Sequence, residues 1–149
     1  MPDARHQVTI TRQARDVFGF IADGLNGPKW RTGILDIAHV SRDGVGAIYK
    51  QGVRGPGGRR IDADYRVTTY EPNSRLAFEA IAGPVRPKGE YVLEEVDGGT
   101  RLTFALHAEL GGIKKLLMGG AVQKTMDAEV DATERLKVLL ESMPPKGSR

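Results

Sequence analysis

The chain has 149 residues, of which 40% are hydrophobic and 28% charged, and its formal net charge is +3. It contains no cysteine, which excludes disulfides, thiolate chemistry and cysteine-ligated zinc. No apolar run approaches the roughly 20 residues that span a bilayer, and the N-terminal segment lacks the apolar core of a secretory signal. We therefore expect a cytoplasmic protein without a membrane span, in which residues 1–149 form one domain.

The first part of the chain predicts a strand followed by two short helices. Residues 6–11 alternate between apolar and polar side chains, as in a half-buried strand. Apolar residues across 12–24 recur at spacings of three and four, which is typical of an amphipathic helix. Gly27-Pro28 ends this helix, and a second short helix or turn carries Trp30.

The middle of the chain predicts a series of strands. Residues 60–70 show the clearest alternation, with apolar residues and Tyr65 on one face and charged residues on the other. Glycine-rich turns at 55–58 and 97–99 join successive strands, which favours an antiparallel meander. With the first strand, about seven strands are expected, the others over 34–41, 46–54, 60–70, 75–81, 89–96 and 100–109.

The last element is predicted as one long helix over 113–143, which Pro144-Pro145 ends. Its apolar residues trace one stripe, and Gly119-Gly120 is a candidate kink. The order of the elements predicts an α+β fold in which a curved antiparallel sheet wraps the long C-terminal helix.

Four segments of the chain resemble a known family in their order and spacing. The segments are 14–23 with Pro28-Lys29-Trp30, Gly44-Val45-Gly46-Ala47, 70–78 and 98–104. The similarity is to the START-like (SRPBCC) superfamily, in its polyketide cyclase/dehydrase branch, and Gly24 departs from it where proline is common. The resemblance implies a helix-grip fold whose members hold an apolar small molecule between sheet and helix.

A mostly apolar cavity is expected between the sheet and the long helix, with its mouth near Gly83–Pro87. Aromatic and methionine side chains suit an adaptable pocket, and a ligand would offer partners to inward-facing tyrosine hydroxyls. The alternative is that the same side chains fill an ordinary core. The expected ligand contacts are Trp30, Tyr49, Gln51, Tyr65, Phe78, Tyr91, Phe104, Leu117, Met118 and Met126.

No catalytic motif stands out in the sequence. The histidines have no metal-ligand spacing, and the glycine-rich segments do not match phosphate or dinucleotide loops, so we expect neither a metal nor a cofactor. His6 and His107 are expected at the surface, and Asp62 with Asp64 in a solvent-facing charge ladder. The candidates for proton transfer are Tyr49, Tyr65, Tyr91 and His39, which is the histidine best placed to enter the cavity.

Three classes of function stay open at this point. The first is a carrier or sensor that binds a small apolar or aromatic molecule. The second is a cyclase, aromatase or dehydratase that uses tyrosine hydroxyls in the same cavity. The third is a module that binds nucleic acid, ribosome or protein through Arg54, Arg59 and Arg60, although the mild positive charge does not favour nucleic acid. The sequence is compatible with a monomer or a homodimer.

Overall fold

The computed structural model describes residues 3–83, 85–110 and 112–144, with the side chains of Pro56 and of 112–119 outside the described set. Within these residues, one antiparallel sheet contains eight strands. They are β1 (Asp3–Ile10), β2 (Ile34–Ser41), β3 (Ile48–Arg54), β4 (Arg60–Asp62), β5 (Tyr65–Glu71), β6 (Arg75–Ala80), β7 (Lys88–Val96) and β8 (Gly99–His107).

The strand order is β1-β8-β7-β6-β5-β3-β2, with β4 paired to β3 beside β5. Apart from β1, neighbouring strands follow one another in the chain, except that β5 pairs with β3 across the short β4. The predicted antiparallel meander is therefore confirmed. The first strand joins the sheet through the last one, with Asp3 opposite His107 and Ile10 opposite Thr100.

Besides a three-residue 3₁₀ turn at Pro56–Gly58, the described residues form four helical elements. They are α1 (Ala14–Ala22), a 3₁₀ helix (Gly24–Lys29), α2 (Gly112–Asp131) and α3 (Thr133–Ser142). The apolar stripe of α1 is buried through Ala14, Val17, Phe18 and Ile21, as its spacing predicts. Together, α2 and α3 form the long C-terminal helix against the sheet. This is the expected α+β helix-grip architecture, with two short helices after the first strand.

The C-terminal helix is continuous through Gly119-Gly120 and breaks instead at Ala132. The Ala132 N–H is shared between the carbonyls of Ala128 and Glu129, at 3.1 and 3.2 Å. The Thr133 hydroxyl donates to the Val130 carbonyl at 2.7 Å and is fully buried. A side-chain hydroxyl that binds a nearby carbonyl competes with the helical pattern, which accounts for the break.

The strand predicted over 60–70 is split between β4 and β5. The Asp64 carboxylate accepts the backbone N–H of Gln51 at 3.1 Å, so a side chain replaces a bond of the sheet ladder. The Ala63 N–H still donates to the Gln51 carbonyl, at 2.9 Å. Asp64 is consequently half-buried rather than part of a solvent-facing ladder, whereas Asp62 is exposed as expected.

The end of the C-terminal helix is held against the start of the chain. The Arg12 guanidinium donates to the carbonyls of Glu141 and Met143, each at 2.7 Å, and satisfies acceptors that a helix end leaves free. The Leu136 side chain on α3 is fully buried in the core that this packing closes. In the described part of the chain, no helix is long and apolar enough to cross a membrane.

Leu136→Ala should lower the free energy of unfolding by about 2 to 5 kcal/mol, because it removes buried methyl groups and leaves a cavity. Val138→Ala is the control on the same helix, since Val138 is 68% exposed and its truncation should change stability by no more than about 0.5 kcal/mol. Urea denaturation followed by circular dichroism measures both. Equal effects of the two substitutions would contradict the packing of α3 described above.

Candidate ligand-binding site

A cavity of about 270 Å³ lies between the concave face of the sheet and α2. This volume is slightly below the usual range for small-molecule sites, roughly 300 to 1,000 Å³, so it suits one compact ligand. The lining is mostly apolar and comes from α1, the 3₁₀ helix, the sheet and α2. Of the side chains expected to contact a ligand, those that line it are Trp30, Tyr49, Gln51, Tyr65, Phe78, Tyr91, Phe104 and Met126.

The other two expected ligand contacts, Leu117 and Met118, lie on α2 among the side chains that are outside the described residues. Their contribution to the cavity therefore stays a prediction. The described residues of α2 that line the cavity follow from Ala121 onwards and include Met126, which is 4% exposed.

Aromatic rings form a continuous wall across the concave face. Tyr49 stacks on Tyr65 with centroids 5.1 Å apart, and Tyr65 meets Phe78 at 5.4 Å. Phe78 lies 6.3 Å from Phe104, which stacks on Tyr91 at 4.2 Å. The alternation of inward and outward residues brings these rings from adjacent strands into register. Ring-to-ring packing fixes the shape of the wall and offers flat apolar surfaces to a ligand.

An ion pair interrupts this apolar surface. The Arg31 Nε lies 2.9 Å from Glu129 Oε2, and Arg31 Nη2 lies 3.4 Å from Oε1, so the contact is bidentate. The side chains are only 15% and 21% exposed. Gln51 Oε1 lies 3.5 Å from Arg31 Nη1, at the limit of a hydrogen bond. Burial alone would lower the pKa of Arg31, but the charge and hydrogen bond of Glu129 outweigh it and raise that pKa.

The backbone of the 3₁₀ helix aims Arg31 inward. The Asp23 carboxylate accepts the Leu25 N–H at 3.0 Å and caps the helix start. The N–H groups of Trp30 and Arg31 both donate to the Gly27 carbonyl, at 3.1 and 2.8 Å. Arg135 Nε on α3 donates to the Trp30 carbonyl at 3.1 Å, so the segment is held from both sides.

Two tyrosine hydroxyls stand near Arg31 without a hydrogen-bond partner among the described residues. They belong to Tyr65 and Tyr91, and burial raises the pKa of each well above its ordinary value, although the charge of Arg31 opposes this. Burial also raises the pKa of Tyr49. All three are therefore neutral hydroxyls near pH 7. Gly24 packs on this group, since a Cβ there would lie 2.3 Å from the Tyr65 oxygen.

His39 does not enter the cavity. It is exposed on the edge strand β2, and its ring stacks on Tyr49 with centroids 4.7 Å apart, so Tyr49 separates it from the cavity. Its Nε2 contacts the Arg42 carbonyl instead. His6 and His107 contact the carboxylates of Glu134 and Asp3, respectively, at the protein surface. In the part of the chain described here, no three His, Asp or Glu side chains could together hold a metal ion.

The cavity reaches solvent between the β3–β4 hairpin, residues 85–87 and α2. Its lining there includes the exposed Arg54, Asp62 and Thr125. Gly83, at φ +98, packs on this rim so closely that a Cβ would lie 2.2 Å from the Asp62 carbonyl oxygen. We infer that the opening lies beside Gly83 and residues 85–87.

The arginine cluster noted in the sequence is partly neutralised at this rim. Arg60 binds both carboxylate oxygens of Asp36, at 2.8 Å each, and one of Asp62, at 2.5 Å. These carboxylates raise the pKa of Arg60. Because Arg60 is already bound to carboxylates, only Arg54 and Arg59 of this cluster would be available to a nucleic-acid or protein partner.

Sequence reasoning missed Arg31 and underrated Glu129 as site residues. A signal existed for Glu129, because it lies three residues after Met126 on the apolar stripe of α2. The sequence contains no comparable signal for Arg31. This residue follows a short 3₁₀ helix, and the spacing of apolar residues does not indicate in which direction the chain leaves that helix.

The chain matches the family described as polyketide cyclase/dehydrase and lipid transport over residues 1–141. The chain belongs to this family. The match agrees with the fold and with the presence of a cavity between the sheet and the C-terminal helix.

Among relatives of this polyketide cyclase/dehydrase family member, the uncharacterised protein Rv2574 of Mycobacterium tuberculosis is 29% identical over 112 residues. That match covers 72% of this chain and 66% of the relative. TTHA0849 of Thermus thermophilus has a similar fold, with a TM-score of 0.79, 21% identity and coverage of 95% and 100% of the two chains. The ZhuI aromatase/cyclase of a Streptomyces species also has a similar fold, with a TM-score of 0.68 and 15% identity. That comparison covers 91% of this chain and 93% of the ZhuI chain.

Arg31→Met should lower the free energy of unfolding by about 3 to 5 kcal/mol, because Glu129 then keeps a largely buried charge without its partner. The double variant R31M/E129M should recover most of this loss, since it removes both charges and retains side-chain volume. Arg101→Met is the surface control, as Arg101 lies 3.9 Å from Glu94 and both side chains are well exposed. Denaturant unfolding measures all three, and a double variant as unstable as R31M would contradict the pairing.

Proposed function

We propose that this protein binds one small apolar or aromatic molecule in the cavity, in a carrier or sensor role. The observation that carries the proposal is an aromatic wall that encloses unpartnered tyrosine hydroxyls and a neutral ion pair. The cavity volume of about 270 Å³ and the family membership support the same conclusion.

The lining also suggests what kind of molecule is accepted. Burial of apolar ligand surface against the rings contributes about 25 cal/mol for each Å² removed from water. Tyr65, Tyr91 and Gln51 offer hydrogen bonds beside Arg31, and polar groups left unpaired in such a site cost free energy. A ligand with a flat or aliphatic body and a neutral oxygen at its inner end satisfies both requirements.

Native mass spectrometry of freshly purified protein should reveal a bound small molecule that is released on denaturation. Ala80→Phe should abolish this signal, because Ala80 lines the cavity at the end of β6 and a phenyl ring there fills the space. Ala77→Phe is the control on the same strand, since Ala77 lies on the opposite face of the sheet.

Circular dichroism should show that both variants fold. Equal occupancy of the wild type, A80F and A77F would place the bound molecule elsewhere and contradict the proposal. An unliganded mass would lead to titration with aromatic and aliphatic probes, in which A80F should again lose binding that A77F retains.

A cyclase, aromatase or dehydratase activity is the second candidate. The observation that favours it is the position of the neutral Tyr65 and Tyr91 hydroxyls beside the Arg31 cation. Ring closure of a polyketone requires removal of a proton from a carbon between two carbonyls. The resulting enolate carbon attacks a second carbonyl carbon, and the oxygen of that carbonyl group takes up a proton. A guanidinium and two hydroxyls would stabilise the enolate oxygen, and the Glu129 carboxylate would accept a proton.

The triple variant Y49F/Y65F/Y91F tests this chemistry while it retains the rings. Conversion of a soluble poly-β-ketone thioester should fall by about a hundredfold or more if the hydroxyls take part in proton transfer. Chromatography of the cyclised products measures the rate, and ligand titration of the same variant separates binding from catalysis. Turnover at the native rate would eliminate the tyrosine mechanism and leave the binding role.

A further inference from the structure

The two ends of the cavity differ in charge. At the inner end, Arg31 and Glu129 neutralise each other, and both are more than three-quarters buried. A charged ligand group placed there would add an uncompensated charge in a poorly hydrated space, which is costly. The inner end therefore accepts neutral polar groups and excludes ionised ones.

The mouth, in contrast, has an excess of positive charge. Arg54 lines the cavity, and Arg59 follows in the same hairpin, where its carbonyl accepts the Gly55 N–H at 2.7 Å. Arg86 lies between the lining residues Val85 and Pro87, and its Nε donates to the Gly83 carbonyl at 3.3 Å. Among the described residues, none of these three arginines forms an ion pair.

The nearby carboxylates do not cancel this charge. Asp36 and Asp62 are both bound to Arg60, and the three side chains together carry one negative charge. Arg54, Arg59 and Arg86 carry three positive charges. The rim therefore stays positive even when the carboxylate of Asp23, an exposed residue that also lines the cavity, is counted with it. A ligand anion would also be attracted without full loss of its hydration, because Arg54 is exposed to solvent.

We propose that the ligand is an amphipathic anion, whose apolar body lies against the aromatic wall and whose carboxylate or similar group lies at the mouth beside Arg54. This inference rests on the binding function proposed above. It fixes the orientation of the ligand, with a neutral end inward and the anionic end outward, and it makes Arg54 a specificity-determining residue.

Decanoate and 1-decanol are the probes, since they share an aliphatic body and differ in the charge of the head group at neutral pH. Titration calorimetry of the wild type should give about fivefold tighter binding of decanoate, as expected for a solvent-exposed charge pair. This preference should shrink as ionic strength rises, because salt screens exposed charges.

Arg54→Gln should bring the ratio of the affinities for decanoate and 1-decanol close to one, because it removes the charge that distinguishes the two probes. Arg5→Gln is the control, because it makes the same change of net charge at an exposed position on β1, on the outer face of the sheet. It should retain the fivefold preference.

Equal affinities for decanoate and 1-decanol in the wild type, or an equal loss of both in R54Q, would overturn the anion site while leaving the cavity as a binding site. Failure of both probes to bind would also overturn it, and the A80F and A77F comparison would then decide the fate of the binding function separately. If R54Q lost association with phosphatidylglycerol vesicles but the wild type showed no preference between the probes, the arginine would serve a lipid surface and the inference would be wrong.

Discussion

The ion pair between Arg31 and Glu129 joins two parts of the chain that enclose the cavity. Arg31 extends from the segment after the 3₁₀ helix, and Glu129 lies on α2 just before the helix breaks. On the other side of the break, Arg135 donates to the Trp30 carbonyl. Two consecutive residues, Trp30 and Arg31, thus hold both parts of the C-terminal helix. The position of α2 over the sheet, and with it the shape of the cavity, depends on this connection.

The same pair explains how an apolar cavity can contain strong hydrogen-bonding groups. A lone arginine in this position would attract an anion to the inner end, and a lone glutamate would attract a cation or a proton. Because the two charges compensate each other, the polar groups of this end act as local dipoles. Tyr65 and Tyr91 add neutral hydroxyls in the same place. The arrangement suits recognition of a carbonyl or hydroxyl, and it is compatible with both binding and proton transfer.

Much of the fold follows from periodicity in the sequence. Alternation along the strands predicted the inward rings of Tyr65, Phe78, Tyr91 and Phe104, because side chains of a strand point alternately to the two faces of a sheet. The aromatic wall could therefore be predicted from the individual strands, without knowledge of which strands pair.

Other features depend on contacts that periodicity does not encode. The split between β4 and β5 arises because the Asp64 carboxylate binds the Gln51 N–H, 13 residues away. The C-terminal helix breaks at Ala132, although the apolar stripe continues through this position and no glycine or proline marks a break. Arg31 depends on the exit direction of a short 3₁₀ helix, and His39 lies outside because Tyr49 occupies the space between its ring and the cavity. Each case is decided by tertiary geometry that local sequence leaves open.

The pairing of β1 with β8 has a consequence for how this protein reaches its native state. Asp3 and His107 meet across 104 residues, and Lys137 on α3 donates to the Thr9 carbonyl across 128 residues. During translation, β1 is made long before β8 and α3, which pack against it in the native structure. Its apolar face is therefore exposed until those two elements have been synthesised. Closure of such long loops slows folding and leaves intermediates open to aggregation. The pairing of β1 therefore cannot be completed until β8 and α3 have been made.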